Sequence, residues 1–185
     1  MGLMLMSTTQ HITTAQELLD TPDLGRCELI RGELVMMSPA GFDHGRVAGR
    51  IHGRLSHFVE SHDLGVVTSA ETGFQIGHDP DTVRAPDVAF IRTERAPPLR
   101  TPGFFQGPPD LAVEVISPGD RAGEVLAKVR DWLDAGCLAV WSVDPVAHSV
   151  AVYRPATAAV LTATEDLTLE DLLPGFRLPV AEIFG

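Results

Sequence analysis

The apolar run Leu111-Ala112-Val113 ends on a carboxylate, Glu114, within a segment that continues to Ile116 and is bounded by Pro108-Pro109-Asp110 and Ser117-Pro118-Gly119. A continuous apolar run of this length between turn residues reads as a strand covered by other elements. Glu114 then constrains the rest of the chain. A carboxylate on a covered strand is costly unless it is paired or coordinated, so a partner must arrive from elsewhere in the fold. A second carboxylate, Asp87, has a comparable setting at Pro86-Asp87-Val88-Ala89-Phe90.

One cation stands out as that partner. Lys128 is the only lysine among 14 basic residues. Where arginine serves every other positive position, a retained lysine suggests a need for a compact ammonium on a flexible stem. It follows Glu114 on the next predicted helix, which we expect to be capped by Ser117, to carry Pro118 at its first position, and to run to about Asp134 before Gly136. A simpler alternative is an ion pair with Glu124, one turn earlier.

The remaining elements alternate. Thr14 and Glu17 form a capping-box pattern for a short helix through about Asp20. Cys27 to Ile30 and Glu33 to Met37 flank Arg31-Gly32 as a hairpin, which puts Glu28 on its first strand. Val47, Ile51, Leu55 and Phe58 recur at helical spacing, predicting a helix from about Asp43 to Glu60. His44 shares its inward face, where a lone histidine commonly satisfies a core hydrogen bond. Gly45, Gly49 and Gly53 line one stripe of that helix, and Arg46, Arg50 and Arg54 another, read as a solvated face. Strands are expected at 65–69 and 73–76, pairing with each other, and at 87–92. The stretch 95–109 holds five of the 14 prolines and reads as a surface loop pinned to its own domain by Phe104 and Phe105. Strands follow at 138–143, 149–153 and 160–164. This order predicts an α/β fold, a mixed sheet flanked by helices, in a single domain over 1–185 with residues 1–12 as a frayed tail.

Composition narrows function. With 44% hydrophobic and 21% charged residues the chain can build a sizeable core. The six-residue apolar start is too short to span a membrane. A formal net charge of −11 disfavours a generic nucleic-acid binder, so any DNA contact must be local. Cys27 and Cys137 show no metal or redox spacing, which suggests a reducing cytoplasm. Two strand-borne carboxylates and an ammonium suit phosphodiester hydrolysis, because a divalent ion on hard oxygen ligands can activate water and stabilise the leaving oxygen. Asp87 and Glu114 are the candidate ligands, with a backbone carbonyl near Ile116.

Pro86-Asp87-Val88, Glu114-Val115-Ile116-Ser117-Pro118 and the Lys128 helix resemble the PD-(D/E)xK nuclease superfamily, and within it the Uma-type restriction endonuclease family. Glu28 to Leu34, Ser38-Pro39 with His44, the stretch from Ala135 to Pro145, and Leu173 to Phe176 extend the resemblance over nearly the whole chain. It implies a restriction-endonuclease-like fold and a DNA endonuclease using Mg2+, with Mn2+ able to substitute. It also implies Asp87 and Glu114 as metal ligands, Lys128 as catalytic lysine, Glu28 and His44 as further site residues, and a homodimer. Position 116 is Ile where the ExK pattern places lysine, and the Uma-type variant supplies that lysine from the following helix. Two readings stand beside this one: a catalytically silent module that binds nucleic acid or protein, and a hydrolase of small phosphates.

Overall fold

The computed structural model describes residues 11–98 and 101–185. Its centre is a six-stranded sheet in the order β11-β10-β9-β8-β6-β3. These strands are β3 (Gly65–Ser69), β6 (Val88–Arg92), β8 (Leu111–Val115), β9 (Ala139–Asp144), β10 (Ser149–Arg154) and β11 (Thr157–Leu161). Only β8 and β9 pair in parallel; the other neighbours are antiparallel. A five-stranded sheet, β2-β1-β5-β4-β7, lies apart from it. It is built from β1 (Cys27–Ile30), β2 (Glu33–Met36), β4 (Phe74–Gly77), β5 (Thr82–Arg84) and β7 (Phe105–Gln106). A two-stranded ribbon, β12 (Asp166–Leu169) with β13 (Leu173–Pro179), completes the strands.

Side-chain alternation sorts the central sheet into two faces. Val88, Phe90, Leu111, Val113, Val115, Trp141 and Val143 pack with Val47, Ile51, Leu55 and Val59 of helix α2 (Phe42–Ser61). Those four helical residues repeat every fourth position and form one fully buried line. The intervening residues Ala89, Ile91, Ala112 and Val140 instead meet Val129 and Trp132 of helix α3 (Ala122–Asp134) and Phe74 of the second sheet. The central strands are therefore covered on both sides, as their unbroken apolar runs require.

Several expectations need correction. β3 does not pair with β4; it edges the central sheet beside β6, while β4 pairs with β5 and β7. The split follows burial, since Phe74 fills the space against Trp132 with edge-to-face rings 6.1 Å apart. Helix α3 begins at Ala122, not at Pro118, because the Asp120 carboxylate accepts from the Ser117 amide at 2.8 Å and holds 117–120 as a turn. Glu124 then takes the Arg121 amide at 3.2 Å. The arginine stripe is not merely solvated. Arg46 donates to the Phe184 carbonyl at 3.0 Å, Arg50 reaches those of Glu182 and Ile183, and Arg54 pairs with Glu182 at 2.6 Å, so the stripe holds helix α4 (Val180–Phe184). Cationic side chains on the last carbonyls of a helix satisfy groups that have no partner within it.

Helix α1 (Ala15–Leu19) forms with the expected capping box. Residues 1–10 of the expected tail lie outside the described residues, whereas Ile12 is buried with Ala15, Leu18, Leu29 and Val83. Phe104 and Phe105 do pin the proline-rich loop, Phe104 in that same cluster and Phe105 against Phe74 at 5.4 Å between ring centroids. No described helix is long and apolar enough to cross a membrane.

Two glycines give opposite predictions. Gly65 has φ +149°, and a Cβ there would overlap the Ile91 carbonyl oxygen across the β3–β6 pair. Gly65→Ala should lower unfolding stability in denaturant titrations by at least about 2 kcal/mol. A Cβ at Gly49 meets nothing within 4 Å, so Gly49→Ala should stabilise α2 by about 1 kcal/mol. Destabilisation by Gly49→Ala would mean that another surface covers the stripe.

Candidate active site

Sheet register brings the two strand carboxylates together. Val88 pairs with Val113 between β6 and β8, and one further step of the same antiparallel register sets Asp87 across from Glu114. The Asp87 amide donates to the Val113 carbonyl at 3.0 Å, which holds the chain in line at that step. Asp87 alternates with Ala89, and Glu114 with Ala112, so both leave the sheet on the face that α3 covers.

Glu114 is 6% exposed, and each of its oxygens has a partner. Oε2 lies 3.3 Å from Lys128 Nζ, and Oε1 accepts from the Trp132 indole at 2.8 Å. Residues 128 and 132 are one helical turn apart, so α3 presents both donors on one face. Lys128 thus turns to Glu114 and away from the Glu124 alternative. Burial pushes the Glu114 carboxyl up to about 7; Asp87 and Glu28 push the same way, against Lys128 and Trp132. Burial also works to lower the Lys128 ammonium, but the charges of Glu114 and Glu28 outweigh it and hold its pKa above the usual lysine value.

Asp87 is held from three sides. Its Oδ2 accepts from the Val115 amide at 2.8 Å and meets His44 Nε2 at 3.1 Å, and its Oδ1 is 3.8 Å from Arg26. His44 stands in the first turn of α2, facing inward as its spacing predicts. The hydrogen bond to Asp87 raises its pKa, against the effect of burial.

Glu28 reaches the same region but is occupied differently. It is 2% exposed, with Oε2 on Arg84 at 2.7 Å and Oε1 accepting from the Ala85 amide at 3.1 Å. Arg84 also donates through Nε to Asp131 of α3 at 2.9 Å. Polar contacts thus fasten α3 on two sides, to the central sheet through Glu114 and to the second sheet through Arg84. Arg84, Asp131 and Trp132 are the residues that sequence reasoning missed. Asp131 and Trp132 stand three and four positions after Lys128, the spacing that puts them on its face.

Asp87, Glu114, Lys128, His44, Glu28 and Ile116 all line one cleft of about 1030 Å3. A smaller hollow of about 470 Å3 beside α4 contains none of them. No group of three or more His, Cys, Asp or Glu side chains is arranged to hold a metal among the described residues. Of the carboxylates that line the cleft, Asp87 and Glu114 are the two that the register sets together, beside main chain at Ile116, whose amide donates to the Val143 carbonyl at 2.8 Å. Hard oxygens of this number suit an ion such as Mg2+, which commonly takes one or two carboxylates and keeps several waters.

Glu114 predicts how metal-free protein responds to pH. A carboxyl raised from 4.5 to about 7 on folding leaves stability intact below pH 4.5 and withdraws it as pH rises through 7. At roughly 1.4 kcal/mol per unit the loss is about 3 kcal/mol. With chelator present, wild type should lose more stability between pH 5 and 8 than Glu114→Gln in denaturant titrations. Parallel profiles would contradict the assignment.

A family model described as "Uma2: Putative restriction endonuclease" matches residues 15–181. Among solved structures, the chain is similar to a "putative nuclease belonging to DUF820" from Anabaena variabilis ATCC 29413, with a TM-score of 0.82 and 21% sequence identity. That match covers 94% of this chain and 97% of the other, and it establishes the fold as restriction-endonuclease-like. None of the curated proteins compared with it matches. The family match spans the whole of both sheets and every residue named in the site, and the chain belongs to the Uma2 family.

Proposed function

We propose that this protein is a metal-dependent endonuclease that hydrolyses DNA phosphodiester bonds in the cleft between α3 and the ends of β6 and β8. The supporting observation is the position of Lys128, 3.3 Å from Glu114 on a strand whose register faces Asp87. Membership of a family described as restriction endonucleases gives the same direction. Asp87, Glu114 and the Ile116 carbonyl would hold the ion, Mg2+ by preference with Mn2+ able to replace it. When bound, such an ion polarises the phosphoryl oxygen and makes water a stronger nucleophile.

The chain's own groups have distinct parts in this reading. Lys128 keeps its protons at neutral pH, because neighbouring carboxylates hold its pKa up. It therefore acts as a fixed positive charge that orients water and offsets charge developing on the phosphate, and not as the base that deprotonates water. His44, with its pKa raised, keeps Asp87 oriented from the α2 side. Glu28, engaged by Arg84, braces α3. Arg26, Arg31 and Arg130 also line the cleft and supply local contacts to the nucleic-acid backbone despite the acidic total charge.

One observation favours the catalytically silent alternative. The two oxygens of Glu114, and those of Asp87, already have protein partners, His44 among them, and no group of three or more His, Cys, Asp or Glu side chains is arranged to hold a metal among the described residues. Plasmid nicking separates the two readings. With Mg2+ or Mn2+ the wild type should nick supercoiled DNA, chelator should abolish nicking, and Asp87→Asn or Lys128→Met should slow it by at least about a hundredfold. Nicking that neither substitution nor chelator alters would contradict this site, and no nicking with either ion would favour the silent module.

A further inference from the structure

Trp132 makes a contact that the proposed chemistry does not assign. Its side chain is fully buried, with Phe74 edge-to-face at 6.1 Å and Val129, Cys137, Ala112 and Val140 in the same cluster. Its indole N–H donates to Glu114 Oε1 at 2.8 Å. An indole N–H can only donate, so it accepts no alternative arrangement in which Oε1 carries a proton towards it. Oε2 is left as the oxygen shared with Lys128. The carboxylate is thereby fixed about its own axis by a residue locked in the core, where it has no room to turn.

The chain provides its own comparison. Trp141, the only other tryptophan, is equally buried, but its indole nitrogen has no hydrogen-bond partner. It packs on the opposite face of the central sheet, against Phe176 at 6.2 Å. The two residues match in size and burial and differ in whether they touch the site.

We propose that Trp132 is a positioning residue for Glu114: its indole N–H fixes Oε1 so that Oε2 faces Lys128 and the incoming cation, and it thereby sets how tightly the site holds a divalent ion. The inference rests on the metal-dependent reading above. Groups that orient a metal-ligating side chain from behind typically contribute tenfold or more to metal affinity.

Calorimetric titration of the full chain with Mn2+ tests this without any measurement of cleavage. Trp132→Phe keeps an aromatic ring and removes the donor; it should weaken Mn2+ binding by about tenfold. Trp141→Phe removes a comparable buried indole and should leave the affinity unchanged, even if its melting temperature falls as far. Equal affinity in wild type and Trp132→Phe, or equal weakening by both substitutions, would overturn the positioning role while leaving the metal site standing. Absence of Mn2+ uptake by wild type would instead overturn the metal-dependent reading, and the affinity role with it. The hydrogen bond itself is read from indole 15N spectra of metal-free protein. Glu114→Met should shift the Trp132 resonance and leave Trp141 in place, and a Trp132 resonance indifferent to Glu114→Met would overturn the contact.

Discussion

A carboxylate on a strand covered from both sides is the constraint on which this structure depends. Glu114 lies at a position of β8 where every neighbour in sequence is apolar and buried. Taking an ion out of water costs several kcal/mol even after relaxation, and attraction from one partner recovers this only where the geometry is good and other hydrogen bonds are met. Lys128 and Trp132 meet that requirement together from one face of α3. The helix must therefore approach β8 closely and at a fixed rotation. Arg84 stabilises that rotation from the other side, since it bonds Asp131 on the same helical face while closing an ion pair with Glu28.

The arrangement also explains how an acidic protein can present a site for an anionic substrate. Its cleft combines Glu28, Asp87, Glu114 and Asp131 with Arg26, Arg84 and Lys128, and most of these charges are spent on one another. In the proposed chemistry a bound cation is the largest local charge and reverses the sign of the field that a phosphate meets. The carboxyl of Glu114, raised to about 7, then links metal uptake to proton release, because the ion requires the deprotonated form. The partners of Asp87 and Glu114 keep the metal-free site from carrying two uncompensated buried charges.

Strand runs and the amphipathic line of α2 were legible because each is local or periodic, and Lys128, which meets Glu114, stood out as the only lysine of the chain. Period-two alternation alone puts Asp87 and Ala89 on one face, and Glu114 and Ala112 on another strand's matching face. What joins them is register, a long-range property that the strands do not encode separately. For the same reason the chain's division into two sheets was not legible: β3 and β4 are both short, and what separates them is pairing, β3 with β6 and β4 with β5 and β7, which neither segment specifies by itself. The start of α3 was misread because Ser117-Pro118 has the composition of a cap, while the Asp120 side chain captures the Ser117 amide first. Arg84 and Trp132 were missed because an arginine in a three-residue strand and a tryptophan in a helix look like solvent contact and core, respectively. The arginine stripe on α2 was misread because its partners are carbonyls of α4 and the Glu182 carboxylate, more than 120 positions later.

The central claim is that Asp87 and Glu114, set opposite each other by the β6–β8 register, hold a cation beside Lys128. Crystals grown with Mn2+ and measured for anomalous scattering test it most directly. The account predicts a single peak bonded to carboxylate oxygens of both residues, with the Ile116 carbonyl as a further ligand and Lys128 Nζ close by. A peak elsewhere in the cleft, or none at saturating Mn2+, would contradict it.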